Sequence, residues 1–229
     1  MRWLLTLPLL ALTAWPAAAE QNEAEKLFRG MEEKVRAAKT LQLRFDLSIT
    51  DALGKKGSVK GALILGDGDK YRSEGEGKLF GEAVKGVDVS DGTERKAAGD
   101  PPPLDNAAAS PKGVGAYFRA ALPREGFFLS SLEMERRNDL PPDRFQLSDF
   151  RLADKEKIGE RNTQAIQYTM RFKGAGDPLS MKLWLDAESN LPVKLVVMEG
   201  KSDWKDLTET YSEFAIDAEV DAKSFELPK

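Results

Sequence analysis

The stretch Thr40-Leu-Gln-Leu-Arg-Phe-Asp-Leu-Ser-Ile-Thr50 decides the fold class of this chain. Apolar side chains occupy every second position from Leu41 to Ile49, and polar side chains occupy the positions between them. Because successive side chains of a strand point to opposite faces of its sheet, this alternation predicts a strand with one buried and one solvated face. A solvated face is typical of antiparallel sheets, since parallel sheets are covered on both faces.

The same alternation returns along most of the chain. A helix is predicted before the first strand, where Asn22 is followed by apolar residues at helical spacing as far as about Lys39. Further strands are predicted over 59–65, 71–74, 87–90, 150–158, 163–172, 179–185, 193–198 and 207–216. We therefore expect a mainly β (α+β) fold: a curled antiparallel incomplete barrel, covered by the N-terminal helix and by an inserted helical lid.

Residues 99–142 interrupt this pattern and form the predicted insertion. The segment Gly99-Asp-Pro-Pro-Pro103 predicts an exposed loop, because proline fits neither a helix interior nor a central strand. Ser110-Pro111 then begins a predicted helix, whose apolar face includes Tyr117 and Phe118. We expect these two aromatic side chains to act as a lid over the apolar face of the sheet.

Residues 1–19 have the features of a secretory signal peptide. Arg2 precedes an apolar run, and Ala17-Ala-Ala19 supplies small residues directly before Glu20. A membrane anchor, the alternative, would need a longer continuous apolar run. We expect cleavage between Ala19 and Glu20, a soluble periplasmic protein, and a single domain over residues 20–229.

The composition excludes several classes of function. The chain has 229 residues and contains neither His nor Cys, so it can form no Ser-His-Asp triad, no imidazole or thiolate metal site and no disulfide. Its 34 basic and 38 acidic residues nearly balance, whereas nucleic-acid-binding proteins carry a basic surface. Ser202-x-x-Lys205 has the spacing of a Ser–Lys nucleophile, but it lies in a predicted turn and not at the start of a helix. We expect no enzymatic activity, no cofactor, no metal site and no nucleic-acid partner.

The apolar face of the sheet is the candidate ligand site. Small barrels and half-barrels can hold an apolar ligand against such a face, so we predict a pocket there. Its wall, taken from the alternation of the strands, comprises Leu43, Phe45, Leu63, Tyr71, Val89, Met170, Leu183 and Leu195. The alternative is that the helices complete a dry core on this face, and the composition does not separate the two.

Six short motifs follow one another from the first strand to the C-terminus. They are Thr40-Leu41-x-Leu43-x-Phe45, Gly57-x-Val59-x-Gly61-x-Leu63-x-Leu65, Lys70-Tyr71-Arg72-x-Glu74, Val89-Ser90-Asp91-Gly92, Leu185-Asp186 with Leu191-Pro192, and Asp221-x-x-x-Phe225-x-x-Pro228. In this order they resemble the outer-membrane lipoprotein carrier family, the LolA-like proteins, whose fold LolB and RseB share. Two positions depart from the family pattern. Gly66-Asp67 stands where the family has Arg-Pro, and Arg95-Lys96-Ala97 where it has Trp-x-Tyr.

The resemblance implies an incomplete antiparallel barrel closed by helices, with lipoprotein acyl chains held in a periplasmic cavity. On this basis we expect an exported monomer that binds a lipid or a lipoprotein acyl chain and acts in lipoprotein sorting or transport. The alternative function is an envelope sensor or protein-interaction domain of the same fold with a dry core. Membrane proteins of the envelope are the expected protein partners.

Overall fold

The computed structural model describes residues 22–51, 53–67, 70–79, 81–100, 145–172, 177–198 and 204–227. The predicted cleavage site at Ala19 and Glu20, the predicted lid residues Tyr117 and Phe118, and Ser202 lie outside the described residues. No helix within the described ranges is long and apolar enough to cross a membrane.

The described residues form one α-helix, ten strands and a short C-terminal 3-10 helix. Helix α1 is Glu23–Ala37, and the 3-10 helix is Ala222–Phe225. The strands are β1 (Leu41–Asp51), β2 (Lys56–Leu65), β3 (Lys70–Leu79), β4 (Glu82–Asp91), β5 (Arg95–Asp100), β6 (Phe145–Ile158), β7 (Arg161–Phe172), β8 (Leu179–Asp186), β9 (Pro192–Met198) and β10 (Trp204–Ile216).

All ten strands belong to one antiparallel sheet with the order β5-β4-β3-β2-β1-β10-β9-β8-β7-β6. The chain thus makes an N-terminal meander of β1–β5 and a C-terminal meander of β6–β10, which join where β1 pairs with β10. Strands β5 and β6 are the two edges, so the sheet is not closed into a barrel. The predicted fold class, a mainly β protein with an open antiparallel sheet and an N-terminal helix, is confirmed.

Helix α1 lies on the C-terminal meander. Asn22 caps it: Glu25 N donates to Asn22 Oδ1 at 2.9 Å, and Asn22 Nδ2 donates to Phe150 O at 2.8 Å. The centroid of the Phe28 ring lies 5.3 Å from that of Phe150 and 5.1 Å from that of Tyr168. The buried side of the helix is made of residues at helical spacing: Ala24, Phe28, Met31 and Val35. These contacts hold α1 against β6 and β7.

Strand register assigns the side chains of the sheet to two faces. Directly paired residues of an antiparallel sheet point to the same side, and neighbours along a strand point to opposite sides. The face that carries the buried Leu41, Leu43 and Phe45 is the core face; the opposite face, with Gln42 and Arg44, is the polar face. This division positions every candidate site residue described below.

A bulge in β10 keeps the core face apolar near the centre of the sheet. The register between β1 and β10 shifts at this point, so that Tyr211 pairs with Phe45 and Phe214 pairs with Leu43. Strict alternation after Tyr211 would have put Glu213 on the core face instead. Because of the bulge, the Phe214 ring lies on the core face and the Glu213 carboxylate lies on the polar face.

Strand β5 differs from the sequence prediction, which began the insertion at Gly99. Gly99 and Asp100 are the last residues of β5, and they pair with Gly86 and Lys85 of β4. Gly99 has a φ of 154°, a conformation that glycine adopts and that residues with a Cβ rarely do. The prediction missed this strand because its run of Lys, Ala and Gly residues lacks the alternation that marks the other strands.

Candidate functional site

Four of the eight predicted wall residues lie close together on the core face of the N-terminal meander. Leu43 pairs with Leu63, and Phe45 pairs with Gly61, across β1 and β2. A Cβ at Gly61 would overlap the Phe45 ring, so the ring lies over the glycine. Tyr71 continues the same face on β3. Each of the four is at most 4% exposed.

Three further predicted residues lie on the core face of the C-terminal meander. Leu183 pairs with Leu195 between β8 and β9, and Met170 lies on β7. All three are fully buried. With the four residues of the N-terminal meander they belong to one continuous cluster of buried apolar side chains, which also includes Phe28 and Met31 of α1. The structure therefore brings seven of the eight residues into one core.

Val89 does not belong to this wall. It pairs with Arg72, which in turn pairs with Ile64, so the three side chains share the polar face. Its neighbour Ser90 pairs with Tyr71 and takes the place on the core face. The prediction was wrong because it assigned the more apolar residue of this pair, Val89, to the core face. Val89 is fully buried all the same, on a face where the C-terminal 3-10 helix contacts β3 and β4.

Two clefts lie on the polar face of the N-terminal meander. The larger, of about 720 Å³, extends across β1–β5 from Arg44 to Gly99. The smaller, of about 380 Å³, lies between Arg72 on the sheet and Lys223 in the 3-10 helix. Of the eight predicted wall residues, only Leu43 borders either cleft. Both clefts are therefore separate from the predicted apolar site.

A buried carboxylate on the core face is a feature that the sequence reasoning missed. Glu209 pairs with Leu195 on one side and Leu47 on the other, and it is fully buried. The Tyr211 hydroxyl donates a hydrogen bond to Glu209 Oε2 at 2.7 Å. Burial, and next the negative charge of Glu209, raise the pKa of the Tyr211 hydroxyl well above its ordinary range. The signal was present in the sequence, since alternation from Leu207 to Tyr211 puts Glu209 on the apolar face.

A second polar group on the core face lies beside the β5 edge, and we name it the polar triad: Tyr71, Asp88 and Arg95. Arg95 donates to the Asp88 carboxylate from Nε at 2.9 Å and from Nη2 at 2.5 Å. The Tyr71 hydroxyl donates to Asp88 Oδ1 at 3.0 Å. Arg95 pairs with Ser90, and Asp88 pairs with Ser73, which puts both members on the core face with Tyr71. Arg95 is also the first residue of the segment that departs from the Trp-x-Tyr of the carrier family.

The core face carries both apolar and hydrogen-bonding side chains: the apolar cluster, the Tyr211–Glu209 pair and the polar triad. The two clefts described above lie on the opposite face. Within the described ranges, no group of three or more His, Cys, Asp or Glu side chains is placed to hold a metal ion.

The chain was compared with known proteins. No protein-family model matches it, and no curated protein does. Similar solved structures include the MucA/MucB complex of Pseudomonas aeruginosa, at 13% identity and a TM-score of 0.44 over 90% of this chain and 62% of the matched one. Lipoprotein LppX of Mycobacterium tuberculosis matches at 11% identity and a TM-score of 0.44, over 86% of this chain and 97% of that one.

A LolA superfamily protein from Nitrosomonas europaea is also similar, at 9% identity and a TM-score of 0.31, over 89% of this chain and 97% of its own. The chain spans only 60% of the matched chain of MucB in its complex with MucA. These likenesses concern the fold, and we take no ligand, site or partner from them.

Proposed function

We propose that this chain is an exported, non-enzymatic binding protein of the cell envelope, which holds the acyl chain of a lipid or a lipoprotein against its core face. One observation supports this proposal: the apolar core face extends from the strands nearest helix α1 into the N-terminal meander. Helix α1 lies closest to β6 and β7. Leu43, Phe45 and Leu63 lie on β1 and β2, in the other meander, and are as deeply buried as the residues under the helix.

The expected affinity follows from the area of an acyl chain. Burial of one methylene group contributes about 0.8 kcal/mol, so about eight methylenes offset an association cost at the low end of the usual range, about 4–6 kcal/mol. Micromolar binding corresponds to about 8 kcal/mol net, which needs a chain of about sixteen methylenes. Such a ligand needs apolar contacts and no catalytic group. The proposed export rests on the predicted signal peptide. N-terminal sequencing of the secreted chain should find Glu20 first, and an intact Met1 in the membrane fraction would contradict export.

Uptake of a fluorescent fatty acid tests the proposed ligand site. Leu43→Asp should abolish uptake, because an unpaired carboxylate is costly in an apolar site. Phe45→Ala should weaken uptake while it costs less stability than the 3–5 kcal/mol that is ordinary for a phenylalanine in a packed core. Phe28→Ala in helix α1 is the matched control, since it removes the same side chain from the contact between the helix and the sheet.

A second candidate function is an envelope sensor or protein-interaction domain with a dry core. It is favoured by the continuity of the apolar cluster, in which Leu43 and Leu63 share one core with Phe28 of α1. On this alternative the wild-type chain takes up no acyl probe, and Phe45→Ala destabilises the chain as much as Phe28→Ala does. That pair of results would overturn the proposed carrier function in favour of the interaction domain.

A further inference from the structure

The core face of the N-terminal meander changes from apolar to polar towards the β5 edge. One row of paired residues crosses it from centre to edge: Leu41, Leu65, Tyr71, Ser90 and Arg95. Leu41 and Leu65 are almost completely buried, whereas the Arg95 side chain is 25% exposed. An amphiphile whose chain lay on the leucines would thus have its head beside the guanidinium of Arg95.

The Arg95 guanidinium is held in a fixed position on this face. It makes two hydrogen bonds to Asp88, and Asp88 also accepts a hydrogen bond from the buried Tyr71. Tyr71 belongs to the apolar cluster, so the triad is attached to the wall of the proposed site. Planar guanidinium groups bind carboxylates and phosphates through paired hydrogen bonds, and a group that is already oriented loses little entropy on binding.

We propose that Arg95 is a specificity residue that recognises the acidic head group, a carboxylate or a phosphate ester, of an amphiphile whose chain lies on Leu41 and Leu65, beside Leu43 and Leu63 of the proposed acyl site. This inference rests on the proposed function, because it needs an acyl chain on the core face. Asp88 forms an ion pair with Arg95, and its carboxylate repels an acidic head. Arg95 therefore favours the acid, and Asp88 limits that preference.

The test compares two ligands of equal chain length, dodecanoic acid and 1-dodecanol, at a pH where the acid is ionised. Each displaces the neutral fluorescent probe N-phenyl-1-naphthylamine from the purified chain. Because a hydrogen bond to a charged group contributes roughly 1.5–3 kcal/mol, the acid should bind about tenfold or more tightly than the alcohol. Arg95→Gln should remove this difference by weakening the binding of the acid much more than that of the alcohol.

Three further variants sharpen the assignment. Arg72→Gln is the matched control: Arg72 also pairs with a carboxylate, Glu74 at 3.1 Å, but on the polar face, so the preference for the acid should persist. Arg95→Lys keeps the charge without the planar fork, so part of the preference should remain. Asp88→Asn removes the repelling charge, so the preference should increase.

The outcomes separate this inference from the function on which it rests. Uptake of the probe with equal affinity for acid and alcohol, or a preference that survives in Arg95→Gln, would overturn the role of Arg95 and leave the acyl site standing. Failure of the wild-type chain to take up the probe, the acid and the alcohol would overturn both. Circular dichroism of each variant shows that a lost preference occurs in a folded protein.

Discussion

The two meanders of the sheet fill their core faces with different kinds of side chain. In the C-terminal meander, β7, β8 and β9 present large apolar residues that are nearly all fully buried: Ile166, Tyr168, Met170, Met181, Leu183, Leu185 and Leu195. In the N-terminal meander, the core face of β3, β4 and β5 consists mainly of small and polar residues: Ser73, Gly75, Gly77, Gly86, Asp88, Arg95, Ala97 and Gly99. One continuous sheet therefore carries two surfaces of different chemistry.

This difference separates the part of the sheet that stabilises the fold from the part that carries the proposed binding groups. Large side chains packed against α1 provide buried apolar area, which is the dominant favourable contribution to folding. The face of β3–β5 contributes little apolar area, but it carries the polar triad and borders Leu43 and Leu63. We expect substitutions in the C-terminal meander to change the free energy of unfolding, and those in β3–β5 to change binding.

The largest effect is expected where helix α1 packs on the C-terminal meander. Phe28→Ala should lower the free energy of unfolding by about 3–5 kcal/mol, because it removes a fully buried ring that contacts Phe150 and Tyr168. Gly86→Ala in β4 is the opposite case, since its new Cβ would meet only Ala98 O, at 3.6 Å, among the described residues. It should be neutral, or stabilising by up to about 1 kcal/mol, because alanine restricts the unfolded chain.

Urea unfolding followed by circular dichroism measures both changes. Gly61→Ala is a useful control in the N-terminal meander, because its Cβ would overlap the Phe45 ring. It should destabilise the chain where Gly86→Ala does not. A loss of stability in Gly86→Ala as large as that in Phe28→Ala would contradict the contrast between the meanders.

Two tyrosines give an intermediate effect. Tyr211→Phe removes the hydrogen bond to the buried carboxylate of Glu209, and should cost about 1–3 kcal/mol. Tyr71→Phe removes a similar bond to Asp88, whose side chain is 13% exposed, so water can replace it in part and the cost should be smaller, about 0.5–1.5 kcal/mol. Thermal or urea unfolding ranks the two variants. Equal costs would mean that the two carboxylates are equally desolvated.

The smallest effects are expected at two equivalent turns, one in each meander. In the β4–β5 turn, hydrogen bonds from Glu94 and Thr93 lower the pKa of Asp91 to about 2. In the β8–β9 turn, burial acts to raise the pKa of Asp186, but hydrogen bonds from Ser189 and Glu188 outweigh it and the pKa is lowered.

A lowered folded-state pKa means stability that is present above the ordinary pKa of an aspartate and is lost as the pH falls through the folded value. Asp91→Asn and Asp186→Asn should therefore each flatten the fall in melting temperature below about pH 4. Asp154→Asn on the exposed part of β6 is the control, and its melting temperature should fall at acidic pH as that of the wild type does. If the melting temperature of both turn variants falls below about pH 4 as steeply as that of the wild type, protonation of the two turn aspartates is not linked to folding.

The sequence predicted most of the strands and the position of α1, because alternation and helical spacing are local patterns. It also placed Leu43, Phe45, Leu63 and Tyr71 on a common face. It failed at β5, where small residues carry no alternation, and at Val89, where apolar character suggested the wrong face. It passed over Glu209, although the alternation that assigned the leucines assigns this carboxylate to the same face.

The class of the fold follows from local patterns, since period-two patterning fixes which elements form, and the absence of His and Cys fixes which chemistry is impossible. How the strands pair across the sheet does not follow from such patterns. Pairing depends on contacts between residues far apart in the chain, such as Tyr211 with Phe45, and on a bulge that shifts the alternation of β10. That pairing brings Tyr71, Asp88 and Arg95 from three neighbouring strands together as the polar triad on the core face.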